Sequence, residues 1–142
     1  METINHGQIY AGGDKKIVIQ PVERGWSEEW RANLFNLTLP AGLVTLPDTI
    51  VPAGQILVVE NIAIRYVGTV TNIVLAAGLV VGGIQRVIFA LTNPADGYIT
   101  NTWRDYMKSV TIAPGEYIQF FINPATLNDQ AYMHVLGRRI YT

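Results

Sequence analysis

The apolar residues of this chain alternate, and proline-glycine corners cut the alternating runs into short lengths. The clearest run is Gln55 to Val67, QILVVENIAIRYV. In its second half Ile62, Ile64 and Tyr66 share one face, and Ala63, Arg65 and Val67 share the other. A period of two belongs to a pleated strand, not to a helix. Three corners have related sequences: Leu39-Pro-Ala-Gly-Leu43, Val51-Pro-Ala-Gly-Gln55 and Ala113-Pro-Gly-Glu116. Proline fixes φ at about −65° and glycine accepts φ above zero, so each predicts a tight passage between strands.

Six further segments read as strands: Lys16–Val22, Asn33–Leu39, Thr71–Ala77, Ile84–Leu91, Glu116–Ile122 and Ala131–Ile140. Tyr106–Ile112 is added to these. β-branched and aromatic residues dominate most of them, as half-buried pleated surfaces favour. One helical turn is read at Ser27–Arg31, with Ser27 as its cap. Asn93-Pro-Ala-Asp-Gly97 and Asn123-Pro-Ala125 read as breaks. No strand–helix alternation is present, so a parallel α/β fold is excluded.

These elements predict an all-β fold, an antiparallel jelly-roll sandwich or barrel over residues 50–142. An N-terminal arm and extension, partly strand, covers residues 1–49. A Greek-key sandwich of immunoglobulin type is the rival. The long, mostly polar segment Thr92–Asp105 speaks against it, because loops of this length tend to be functional.

Composition narrows the function classes. Of the 142 residues 49% are hydrophobic and only 15% are charged, with a net charge of −1. Typical soluble domains carry about 25% charged residues, so much of this surface is uncharged and suited to partner contacts. The charge leaves no electrostatic footprint for nucleic acid or for an anionic membrane. Cysteine is absent, which excludes disulfides, thiolate metal sites and thiol catalysis. The first fifteen residues lack the apolar stretch of a signal peptide, and Ile73–Val81 is too short to span a bilayer.

Catalysis needs convergent titratable groups. His6 and His134 are the only histidines, on distant segments, which excludes the histidine-rich metal site of cupin enzymes. His134 reads as a surface or satisfied histidine. Ser27 and Ser109 sit in no nucleophile elbow, and no phosphate-binding glycine motif opens a helix. Chance pairs of acids, such as Glu28 with Glu29 or Asp105 with Glu116, define no glycosidase separation. Asp96 and Asp105 lack a calcium-loop run. No catalytic, cofactor or metal site is therefore expected.

What the sequence does offer is anchors for a partner. Trp26, Trp30 and Trp103 fall outside the clear strands. They either cap the ends of the sandwich, anchor an interface, or stack on sugar rings. Trp103-Arg104-Asp105-Tyr106, with Tyr98 just before it, has the composition of an interaction hot spot. Residues 1–15 hold little apolar mass beyond Ile9 and Tyr10. They read as an arm that orders on a neighbour. The run Ile73–Val81 is apolar on both faces, and Ile88–Leu91 and Phe120–Ile122 share that character. Their outer faces need cover, from the extension or from another subunit, which points to a homo-oligomer. The interface residues expected are Ile9, Tyr10, Trp26, Trp30, Tyr98, Trp103, Arg104 and Tyr106.

The corners at Val51-Pro-Ala-Gly-Gln-Ile-Leu-Val-Val59 and Ile112-Ala-Pro-Gly-Glu-Tyr-Ile118, in a cysteine-free all-β chain with no active site, carry a resemblance. Over residues 50–142 the chain resembles the jelly-roll capsid decoration proteins of tailed bacteriophages, including small trimeric cement proteins on thermophilic phage heads. The resemblance implies a trimer on the outer capsid surface that clamps neighbouring major-capsid subunits, made in the host cytoplasm, with no catalysis and no cofactor. Similar corners occur in fibre heads, so a receptor-binding domain that recognises a host glycan or protein is the alternative.

Overall fold

The computed structural model describes residues 27–103 and 110–142, which fold into two packed antiparallel sheets. The strands are β1 (Ser27–Asn36), β2 (Gly42–Pro47), β3 (Gln55–Val67), β4 (Val74–Val81) and β5 (Ile84–Thr92). They continue as β6 (Ile99–Thr102), β7 (Val110–Ile112), β8 (Tyr117–Ala125) and β9 (Gln130–Tyr141). The first sheet has the order β1-β9-β3-β6, with β7 also on β3; the second has the order β2-β8-β4-β5. β6 pairs with Asn61–Ile64 and β7 with Leu57–Val59, so the two share one place beside β3. The nine strands thus fill the eight positions of a jelly roll.

The corners do what their sequences predict. Leu39–Leu43 leads from β1 to β2, Val51–Gln55 from β2 to β3, and Ala113–Glu116 from β7 to β8. Each passage crosses from one sheet to the other. Gly54 and Gly115 take φ of +84° and +86°, a region in which a side chain is strained. The last two corners also bind each other, Val51 N donating to Glu116 O (2.9 Å) and Gly115 N to Val51 O (2.8 Å). The first is held by Leu39 N donating to Asp129 O (2.9 Å) and Asn128 N to Leu39 O (2.8 Å).

Several elements differ from the sequence reading. Ser27–Arg31 is strand, not a helical turn: Glu28 to Phe35 alternate against β9, with Trp30, Ala32 and Leu34 turned to the core. Burial of that face outweighs a local cap signal over five residues. Residues 27–47, read as extension, supply β1 and β2, one to each sheet. β2 escapes a pattern search because it is short and ends in proline, which an edge strand tolerates. The long segment after β5 contains β6. β8 continues through Asn123-Pro124, joined by a cis peptide bond. The strand read at Lys16–Val22 lies outside the described residues.

β4 explains itself within one chain. Leu75, Ala77 and Leu79 enter the core, yet Ala76 and Val80 on the outer face are buried as well. The outer residues are small and sit between longer neighbours. Gln85 lays its side chain over Gly78 and accepts a hydrogen bond from Gln119 Nε2 (2.7 Å). A second subunit is therefore not required to cover β4. A bulge between Ala77 and Gly78 shifts the register with β5, and both Ile88 and Phe89 pack on the core.

At the opposite end, a polar lock ties β3 to the turn before β9. The Tyr66 hydroxyl donates to Asp129 Oδ2 (2.9 Å) and accepts from Thr126 N (3.1 Å); Thr69 N donates to the same carboxylate oxygen (2.8 Å). Burial, reinforced by Asp129, raises the Tyr66 pKa above its ordinary value of 10.0. The unfolded tyrosine ionises first as pH rises, so this stabilisation is whole below pH 10 and lost above it, through the folded pKa. Tyr66→Phe should cost about 1–3 kcal/mol at neutral pH, since it removes both hydrogen bonds of the hydroxyl of a buried tyrosine. The loss should shrink above pH 10 in urea titrations; an unchanged difference across that range would contradict the lock.

Candidate functional site

The outer faces of the two sheets differ in chemistry. On the first sheet the cross-strand register sets Asn33 beside His134 and Ala63, and Arg31 beside Leu136 and Asn61. All of them point away from the core, because their neighbours in sequence, Ala32, Ile62, Val135 and Ile64, are buried. Tyr98 enters from the turn before β6 and reaches across the small Ala63. Its hydroxyl lies 3.0 Å from His134 Nε2, and His134 Nδ1 lies 2.7 Å from Asn33 Oδ1. The Arg65 guanidinium sits over the Tyr98 ring at 5.7 Å and beside Asp96 at 4.0 Å. Phe35 and Tyr132 stack alongside with ring centres 6.4 Å apart.

His134 therefore has two partners, which the sequence could not show: Asn33 is 101 positions away and Tyr98 is 36 away. Next to this chain of contacts lies a shallow groove of about 230 Å³, lined by Arg31, Asn33, Asn61, His134, Val135 and Leu136. A second depression of about 230 Å³ opens where Trp30, Asp48 and Arg139 meet the β2–β3 corner. There Glu28 Oε2 accepts from Arg139 Nη1 (3.0 Å) and from the Tyr141 hydroxyl (2.9 Å). Among the described residues no group of three or more His, Asp or Glu is placed to hold a metal ion. No helix there is long and apolar enough to cross a membrane.

The second sheet is apolar at its far edge. β5 pairs only with β4 among the described residues, and Arg86 is its one charged residue. Val81 and Ile84 flank the Gly82-Gly83 turn and are exposed, Ile84 by 75%; Val87 further along is 51% exposed. A depression of about 320 Å³ is lined by Leu79, Val81, Ile84, Arg86 and Glu116.

Of the expected interface residues, Trp30 is a core residue, 5% exposed, and offers no free anchor. Trp103 is half-buried against the core, its N–H bonded to Glu60 O (2.8 Å). Tyr98 is exposed and belongs to the first-sheet cluster. Ile9, Tyr10, Trp26, Arg104 and Tyr106 lie outside the described residues. The apolar edge at Val81, Ile84 and Val87 was not among the expected anchors. Its signal in the sequence was the two-sided apolar character read over Ile73–Val81 and Ile88–Leu91, which stops short of Ile84 and Val87.

No family model matches the sequence, and no curated protein matches it. Solved structures do. A chain in the acidic stable capsid structure of Helicobacter pylori bacteriophage KHP30 superposes with a TM-score of 0.51 at 14% identity. The match covers 82% of this chain and 100% of that one. A chain of the infectious bursal disease virus Gx strain matches at a TM-score of 0.47 and 12% identity, over 95% of this chain and 37% of that chain. The phage likeness extends over the whole of the neighbour and shows a shared fold, the jelly roll derived above.

Proposed function

We propose that this chain is a non-enzymatic structural subunit of a virion. In this reading it is an auxiliary protein that sits on the outer surface of a phage head as a trimer and stabilises the head by clamping major capsid subunits. The observation that carries the reading is the apolar edge of the second sheet. Among the described residues no strand lies on the outer side of β5, and its exposed aliphatic side chains with a single charge suit burial against a partner. The likeness to a phage capsid chain over that chain's full length supports a virion as the setting. The resemblance in the Pro-Gly corners supports the decoration role.

Sedimentation of the full-length chain at micromolar concentration tests the edge. The wild type should run at three times the 15.7 kDa chain mass. Ile84→Asp with Val87→Asp should run as a folded monomer, because a stable interface buries more than about 1,000 Å² and these residues would lie within it. An unchanged trimer in the double variant would remove the edge from the interface.

Residues 1–15 complete the proposal as an attachment arm, with Ile9 and Tyr10 as its anchor. Fifteen extended residues reach up to roughly 50 Å, enough to cross to an adjacent subunit. Trp26, and Arg104 and Tyr106 in the segment joining β6 to β7, are the further contacts proposed. Deletion of residues 1–15 should leave the melting temperature within about 2 °C of the wild type, less than ~1 kcal/mol, and weaken attachment to heads. Undiminished attachment would dismiss the arm.

A further inference from the structure

We propose that the groove on the outer face of the first sheet binds a terminal sugar of a glycan. The polar atoms already in use define what the groove has left to offer. His134 spends both ring nitrogens on Asn33 Oδ1 and the Tyr98 hydroxyl. The tautomer assigned from these contacts carries its proton on Nδ1, so Nδ1 donates to Asn33 and Nε2 accepts from Tyr98. Asn33 is thereby held by its carbonyl and has its amide NH2 left to donate. Asn61 is the complement: its Nδ2 donates to Thr102 Oγ1 (2.8 Å), which leaves its carbonyl to accept. Leu136, 39% exposed, is the apolar surface between them.

One oriented donor and one oriented acceptor beside an apolar patch is the complement of a sugar. Each sugar hydroxyl both donates and accepts, and the ring carries an apolar C–H face. Both amides are fixed by neighbours on the adjacent strand, so little ordering is needed on binding. The groove, about 230 Å³, is smaller than the roughly 300–1,000 Å³ of pockets for drug-sized ligands, which suits one ring. Other ligand classes fit less well. An anion would face the Asn61 carbonyl, and Arg31 is already paired with Glu29. An added peptide strand pairs along a sheet edge, whereas this groove lies on the outer face of the sheet, over the interior strand β9 between β1 and β3. The inference is independent of the capsid reading, since the site lies within one chain and on the opposite sheet from the β5 edge.

The test is NMR titration of the isotope-labelled full-length protein with galactose, glucose, mannose and N-acetylglucosamine, each to millimolar concentration. At least one should shift the side-chain amides of Asn33 and Asn61 and the Leu136 methyls, and show saturation transfer to its ring protons. Asn61→Ala and Asn33→Ala should each weaken that binding tenfold or more with the melting temperature retained. Ile84→Asp should leave it unchanged. Silence with all four sugars would overturn the proposal. So would equal shifts with inorganic phosphate alone, which would mark an anion site, and so would binding that survives both asparagine substitutions.

Discussion

Gly137→Ala is expected to strip the chain of a large part of its folding stability. Gly137 sits in β9 opposite Trp30 of β1 and Val59 of β3. A Cβ built there would stand 1.9 Å from the Val58 carbonyl oxygen and 3.2 Å from the Trp30 ring. The first contact is with backbone, and β3 cannot retreat without breaking its ladder with β9. The register slips here, between Val59 and Asn61, where the bulge brings β3 close to β9. A single methyl must therefore displace a central strand. We expect more than about 4 kcal/mol of destabilisation, in the exceptional range for one substitution, against a total stability of about 5–15 kcal/mol for a domain. Urea unfolding followed by circular dichroism measures it. A melting temperature lowered by less than about 4 °C, near ~1 kcal/mol, would show that β3 yields easily.

The second large effect belongs to Trp30. Removing a buried tryptophan forfeits its transfer free energy and leaves a cavity, so Trp30→Ala should cost about 3–5 kcal/mol. Trp30→Phe, which keeps a ring in the space, should cost distinctly less. The pair separates two roles that the sequence left open for this residue. A core tryptophan loses stability whether or not a partner is present. An interface tryptophan would lose association while the isolated chain kept its melting temperature. The buried position of Trp30 on the Gly137 backbone predicts the first outcome. If the alanine variant melts within about 2 °C of the wild type, less than ~1 kcal/mol, Trp30 does not fill the core as described.

The same residue shows what was legible in the sequence. Alternation is a local signal, so β3, β5, β8 and β9 could be read with small errors at their ends, and the corners marked where the chain changes sheets. Trp30 was misplaced because Ser27-Glu-Glu-Trp-Arg31 imitates a helix start, and only the pairing with β9 makes it strand. β2 and β6 were missed since each is short and gains its stability from one long neighbour, β8 or β3. β4 carried a true observation with an incomplete cause. It is apolar on both faces, but its outer side chains are small and the long side chain of Gln85 covers Gly78, which strand periodicity does not reveal. The chain Asn33–His134–Tyr98 was invisible, because it joins three segments that meet only through the jelly-roll order.

The role proposed for this chain is attachment to the outside of a capsid, which it strengthens. The direct measurement uses phage heads assembled without this chain, from the virus whose genome carries its gene if the proposal holds, mixed with purified full-length protein. Head-bound protein is measured after sedimentation, and head melting by scanning calorimetry. The account predicts saturable binding, a raised head melting temperature, and loss of binding with Ile84→Asp and Val87→Asp together. Heads that bind none of the protein would contradict it, and so would closed shells formed by this chain alone.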